Sequence, residues 1–165
     1  SGQTTKTSGG TYRCAKNPLV SSTKLTWLSM DCLTAANDAV KAQKSAVTTA
    51  ANFKAQLPVI ELGITTETAN RLEVQTKLDA ATLRLTAAQA KLTAAKTDAD
   101  KKILTTAVAS WTSATRAYAS KIRNIDLTIK KLEAAKLAGT NKPAELASNV
   151  ANARDSAKLI CTKGF

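Results

Sequence analysis

The sequence contains no histidine, only six glycines and three prolines, and aromatic residues make up 4% of its 165 positions. Without histidine, the chain lacks the commonest general base and the commonest transition-metal ligand of proteins. Its few glycines form neither a Gly-x-Gly-x-x-Gly motif nor a Gly-Lys-Ser/Thr phosphate loop. These absences argue against an enzyme, and we expect no cofactor, no metal ion and no small-molecule substrate.

Long apolar runs are missing as well. No stretch approaches the roughly 18 consecutive apolar residues that a transmembrane helix needs, so we expect no transmembrane segment. The chain begins with Ser1 and other polar residues, without an initiator methionine or an apolar signal core. This start indicates either a mature, processed chain or an artificial N-terminus.

The three cysteines lie far apart and form no Cys-x-x-Cys pair, which fits neither a zinc site nor a thioredoxin-like motif. We expect Cys161 to form a disulfide with Cys14 or, less easily, with Cys32, because the last helix should return to the start of the first. A disulfide would place the protein in an oxidising compartment: secreted, periplasmic or surface-associated. The alternative is three reduced cysteines that act as small buried hydrophobic residues, and Cys32 on the apolar stripe fits that best.

The sequence does contain a run of roughly 75 residues, from Thr65 to Gly139, with no proline or glycine between its ends. Apolar residues recur through it at helical and often heptad spacing, which predicts long helices that pack side by side. The polar stretch Thr97–Lys102 has two interpretations. It could be a tight turn with Asp98 as the next N-cap, or the middle of one continuous helix.

Helix-breaking residues elsewhere predict the remaining boundaries. Asn17 and Pro18 resemble a helix start, Pro58 should end that helix, and Gly139 with Pro143 should separate a last helix. The predicted fold is therefore all-α, an elongated antiparallel bundle of three or four long helices with coiled-coil-like packing. We expect residues 17–165 to form this single domain and residues 1–16 to form a flexible or extended basic arm.

The segment that follows Pro58 is unusually apolar for a connection between helices. One interpretation is a hydrophobic plug that closes the end of the bundle. The other is a contact surface for a second subunit, because exposed apolar patches commonly bind partners. The candidate subunit contacts are Val59, Ile60, Leu62 and Ile64.

The chain carries 24 basic and 12 acidic residues, a net charge of +12. This excess could attract a polyanion, either nucleic acid or an anionic glycan, or could simply keep the surface solvated. Trp111 and Tyr118 lie on the core stripe, so we expect them to pack inside rather than stack on bases. The candidate polyanion contacts are Lys6, Arg13, Lys16, Arg116, Lys121, Arg123, Lys130, Lys131 and Lys136.

A core of small side chains buries little area, so association between copies is a natural further source of stability. We therefore expect a non-enzymatic structural or interaction protein, an exported subunit that self-associates through alanine-rich helix faces into a homo-oligomer, surface assembly or filament. A basic nucleic-acid-binding coat or architectural protein is the first alternative. A monomeric surface adhesin or receptor-binding bundle is the second.

Overall fold

The computed structural model describes residues 2–162. Within this range the chain forms a small sheet and two long helices that pack antiparallel, each helix 65 residues long. The helical class is therefore confirmed, whereas the prediction of three or four helices is wrong. The elements are β1 (Thr4–Thr7), β2 (Gly10–Lys16), β3 (Leu25–Ser29), α1 (Met30–Ala94) and α2 (Asp98–Thr162).

Two prolines that were expected to end helices lie inside them instead. Pro58 is within α1 and Pro143 is within α2, while Gly139 is a buried position of α2 and not a C-cap. A proline in a helix interior costs about 3 kcal/mol. The apolar heptad pattern continues on both sides of each proline, and burial of that stripe outweighs the local cost.

The first helix begins later than predicted. Asn17 accepts a hydrogen bond from the backbone N–H of Leu19 through its side-chain oxygen (2.9 Å), so it forms a local turn rather than a helix cap. The cap of α1 is Ser29, whose hydroxyl accepts a hydrogen bond from the N–H of Cys32 (3.1 Å). Residues 17–24 therefore connect β2 to β3, and residues 25–29 form β3, instead of the first turns of a helix.

Three residues, 95–97, separate the two helices, so the turn interpretation is the correct one. The cap is Thr97 rather than Asp98. Its hydroxyl accepts a hydrogen bond from the N–H of Asp100 (3.1 Å) and donates one to the Asp100 carboxylate (2.6 Å). A threonine at the N-cap with an acid three residues later satisfies helix donors that would otherwise be unpaired.

The three strands form one antiparallel sheet in the order β1-β2-β3. The residues expected to be a flexible or extended arm supply its first two strands. In the register, Tyr12 pairs with Ser29, Cys14 with Trp27, and Lys16 with Leu25. Because side chains alternate along a strand, these three pairs share one face of the sheet, and Leu28 and Ala15 lie on the other.

Both helices follow a heptad pattern. Apart from the exposed Gln43 and Lys136, buried or half-buried residues recur at alternating steps of four and three, from Cys32 to Leu92 on α1 and from Leu104 to Ala157 on α2. We call these recurring positions a and d; positions b, c and f then face outward. Leu72 (69% exposed) and Ile103 (68% exposed) occupy positions b and c, so these two large aliphatic side chains lie outside the packed stripe.

The chain divides into two compact units. The first comprises residues 1–57 and 138–165 and contains the sheet. Beside the sheet, Leu28, Cys32 and Leu33 form a buried cluster with Ala15 and Cys161, and the other buried positions of this unit are alanines and one glycine. Gly139 is buried next to Leu57, and a Cβ atom added at Gly139 would lie 3.0 Å from a Leu57 methyl carbon. The buried alanines of this unit are Ala36, Ala39, Ala46 and Ala157.

The second unit comprises residues 58–137, and its buried positions combine β-branched side chains with Ala81 and Ala88. Val74, Ile122 and Ile125 form the buried cluster, and Leu78, Tyr118 and Ile129 pack against it. The prediction that Tyr118 packs inside is thus confirmed. Ion pairs link the two helices at the edge of this core, Arg71 to Asp126 at 2.6 Å and Lys136 to Glu61 at 2.9 Å.

Candidate interaction surfaces

A single disulfide joins Cys32 and Cys161, which are 129 residues apart in sequence. The presence of a disulfide is confirmed, but the favoured pairing of Cys161 with Cys14 is wrong. Cys32 follows the Ser29 cap by three residues, and this places its side chain at the first d position of α1, facing the last turn of α2. Cys14 is a free thiol in the middle strand, opposite Trp27.

The three basic residues predicted near the N-terminus lie on the sheet of the first unit. Lys6, Arg13 and Lys16 are all exposed. Arg13 and Lys16 also line an open cavity of about 380 Å³, together with Cys14 and residues of the first turns of α1. Arg13 and Lys16 lie on opposite faces of the sheet, since they are three positions apart along the strand and side chains alternate between the two faces. The cavity therefore does not gather them into one charged surface.

The four predicted subunit contacts divide into two pairs. Ile60 and Ile64 occupy positions d and a and are half-buried in the packing of the second unit. Val59 (71% exposed) and Leu62 (66% exposed) occupy positions c and f and face outward. The segment is helical rather than a connection, so it cannot act as a plug at a bundle end.

Val59 and Leu62 belong to a larger surface of α1 in the second unit, which we call the aliphatic face. It consists of the outward b, c and f positions between residues 58 and 94, all of them exposed. Leu72 (69% exposed) and Leu83 (73% exposed) extend it, and alanines and threonines fill most of the rest. Its charged residues are Glu73 and Asp79, and the face contains no lysine or arginine.

The basic residues of α1 in this unit lie at other heptad positions. Arg71 is an a position, bonded to Asp126, and Lys77, Arg84 and Lys91 occupy g, beside the helix–helix contact. The Arg84 guanidinium lies 5.0 Å from the centre of the Trp111 ring, a cation–π contact. Lys77 donates to Glu73 at 2.5 Å. This hydrogen bond lowers the pKa of Glu73 and raises the pKa of Lys77 from their ordinary values.

The outward b, c and f positions of α2 between residues 98 and 137 have the opposite character, and we call them the basic face. They contain no acidic residue and are all exposed. Arg116, Arg123 and Lys130 occupy successive b positions, seven residues apart, and Lys131 lies beside the last of them. Lys102 occupies a further b position closer to the turn.

Two of the predicted polyanion contacts on α2 lie outside the basic face. Lys121 is at a g position, where its charge contributes to the lowered pKa of Glu73. Lys136 is at an a position and is bonded to Glu61. The structure thus assembles four of the nine candidates, Arg116, Arg123, Lys130 and Lys131, on one helix face. The aliphatic face as a whole was missed from the sequence, although a heptad assignment of α1 would have shown that its outward positions lack basic residues.

Among residues 2–162, no cluster of His, Cys, Asp and Glu has a geometry that could hold a metal ion. Neither helix, over its described length, is both apolar and long enough to cross a bilayer. Comparison with known proteins adds no assignment, since no family model, no curated protein and no solved structure matches this chain.

Proposed function

We propose that this chain is a non-enzymatic structural subunit, exported to an oxidising compartment, that self-associates through the aliphatic face of α1. The observation that carries the proposal is the exposure of Val59, Leu62, Leu72 and Leu83 on a single helix side. Large exposed aliphatic side chains on one side of a helix favour association, because each contact removes apolar surface from water. The disulfide supports the compartment.

Charge favours a second copy of the chain as the occupant of this face. Two copies with a net charge of +12 repel each other, and the repulsion is smallest where neither surface carries a positive group. The aliphatic face of the second unit has this property, since every lysine and arginine of α1 between residues 58 and 94 lies elsewhere. Its alanines, including Ala69, Ala80 and Ala87, allow two helices to approach closely.

The sequence predicted self-association through alanine-rich helix faces, but not every alanine is available for such a contact. Ala81 and Ala88 are buried at d positions within the chain, so those alanines serve intramolecular packing. The alanines left for an intermolecular contact are the outward ones of the aliphatic face. The proposed interface therefore combines exposed leucines with small residues, rather than alanine alone.

The test is sedimentation velocity or light scattering over a range of protein concentrations. The wild type should show a mass above that of the monomer, and Leu72→Gln with Leu83→Gln should lower it to the monomer value. Added NaCl should preserve or strengthen the wild-type assembly, because salt screens the repulsion between copies and leaves the apolar contact intact.

The matched control is Leu127→Gln with Leu137→Gln, which removes two exposed leucines from α2 instead (56% and 62% exposed). This variant should assemble like the wild type. A wild type that remains monomeric at every concentration would overturn the proposal, and so would equal loss of assembly in the two double variants.

A further inference from the structure

The basic face of α2 gathers several basic residues on one side of the helix, with no acidic residue among them. Arg116, Arg123, Lys130 and Lys131 make no ion pair or side-chain hydrogen bond within residues 2–162. The acids of α2 closest in sequence are Asp126 and Glu133, both at e positions, and Asp126 is already bonded to Arg71 at 2.6 Å. The local field along this line of the helix is therefore positive.

The spacing of these charges is regular. Arg116, Arg123 and Lys130 are separated by seven residues, which is about 10.5 Å of helix rise for each step and about 21 Å in total. Because a heptad step returns to nearly the same side of the helix, the three side chains form one straight row, which we call the basic ladder. A straight row matches a linear polymer with anionic groups at regular intervals better than it matches a compact anion.

We propose that the basic ladder binds a linear polysaccharide that carries sulfate or carboxylate groups. Two of its three members are arginines, whose planar guanidinium groups pair with sulfate and carboxylate oxygens through two parallel hydrogen bonds. Next to the first two members of the row, Ala117, Ser120 and Asn124 leave room for sugar rings, whereas Leu127 (56% exposed) lies between Arg123 and Lys130. Lys131 widens the row at one end and provides an additional contact.

Two observations favour a polysaccharide over nucleic acid. Single-stranded nucleic acid is bound by positive grooves in which aromatic side chains stack on bases. Here Tyr118 packs against the core cluster and Trp111 is half-buried beneath Arg84, so neither aromatic ring belongs to the basic face. The disulfide is also typical of compartments where anionic glycans are abundant and nucleic acid is not.

Polysaccharide binding does not depend on self-association, because the basic ladder is on α2 and the aliphatic face is on α1. Polysaccharide binding and self-association should respond to salt in opposite directions. Screening at high ionic strength should release the polysaccharide, whereas it should preserve or strengthen the contact between copies. A chain that failed to self-associate could therefore still bind the polymer through the ladder, and the reverse also holds.

The experiment measures the affinity for heparin, used as the probe, at several NaCl concentrations. The variants are Arg116→Gln, Arg123→Gln and Lys130→Gln combined, and a control with Lys44→Gln, Lys54→Gln and Lys91→Gln, which removes the same charge from exposed positions of α1. The wild type should bind heparin, the ladder variant should lose about tenfold or more of that affinity at low salt, and the control should lose clearly less.

Circular dichroism shows whether each variant keeps its helix content, and Arg116→Lys with Arg123→Lys tests the geometry. This variant keeps the charge, so partial loss of affinity is the expected result if paired hydrogen bonds matter. Equal losses in the ladder variant and the control would overturn the proposal, because binding would then depend on net charge alone. Tighter binding to duplex DNA or to phosphatidylserine vesicles than to heparin would also overturn it.

Discussion

The two compact units use different means to hold the same pair of helices together. In the unit with the sheet, small residues such as Ala36, Ala39 and Gly139 fill the space between the helices, and a disulfide links their ends. In the other unit Val74, Ile122 and Ile125 form a buried aliphatic cluster with ion pairs beside it, in addition to the buried Ala81 and Ala88. Small side chains bury little area, so we infer that a covalent link offsets weak packing where the core is thin.

The largest expected effect comes from removing the disulfide. Cys32→Ser with Cys161→Ser should lower the free energy of unfolding by about 4 to 5 kcal/mol, because the link closes a loop of 129 residues. Thermal and urea unfolding measure the change. Cys14→Ser, which removes the free thiol, should leave stability nearly unchanged.

Hydrogen exchange in the same disulfide variant sharpens the comparison. Amides near Leu33 and Ala157 should exchange faster, whereas amides near Val74 and Ile122 should keep more of their protection. Equal loss of protection in both units would contradict the idea that the disulfide compensates for thin packing in the first unit alone.

The next effect concerns the core of the second unit. Ile125→Ala should lower the free energy of unfolding by about 3 kcal/mol, within the usual range for truncating a buried aliphatic side chain. The truncation leaves a cavity that the surrounding residues fill only in part. The measurement is urea unfolding. Ile103→Ala is the control, since it makes the same change on the same helix at a position that is 68% exposed, and it should cost less than about 0.5 kcal/mol.

The smallest expected effect is the difference in stability between alanine substitutions of one glycine from each unit. A Cβ atom at Gly139 would lie 3.0 Å from a Leu57 methyl carbon, and one at Gly63 would lie 3.3 Å from a Leu132 methyl carbon. Each alanine substitution gains up to about 1 kcal/mol of helix propensity, and the closer approach at Gly139 should cancel that gain. We expect Gly63→Ala to be the more stable variant by about 1 kcal/mol. If thermal unfolding instead showed Gly139→Ala to be the more stable variant, the space beside Leu57 would be large enough for a methyl group, which contradicts the close packing described here.

Much of this fold follows from the spacing of apolar residues. The long helices and the packing of Tyr118 were predictable, because the heptad repeat is the strongest signal in the sequence. The signals that failed were local. Pro58 and Pro143 normally end helices, and here tertiary burial overrides them. Strand β1 was missed because it is made of threonine and lysine, with no apolar alternation to reveal it.

The interaction surfaces were predictable only in part. The net charge predicted basic contacts, but the list of candidate residues was longer than the basic face. Lys136 is bonded to Glu61, and Lys121 lies beside Glu73. Val59 and Leu62 can be distinguished as outward-facing, and Ile60 and Ile64 as half-buried, only when this segment is known to be helical. Because Pro58 had predicted a connection between helices here, the sequence offered no basis for assigning these residues to helix faces.

The three-residue turn after Ala94 has a consequence for the order in which the chain acquires its structure. Partners near the turn are close in sequence, and the separation grows to 55 residues for Arg71 with Asp126, 111 for Arg154 with Gln43, and 129 for the two disulfide-bonded cysteines. Closing a short loop loses less chain entropy than closing a long one. Folding should therefore start at the Thr97 cap and proceed outward like a zipper, so that oxidation of Cys32 and Cys161 marks its completion.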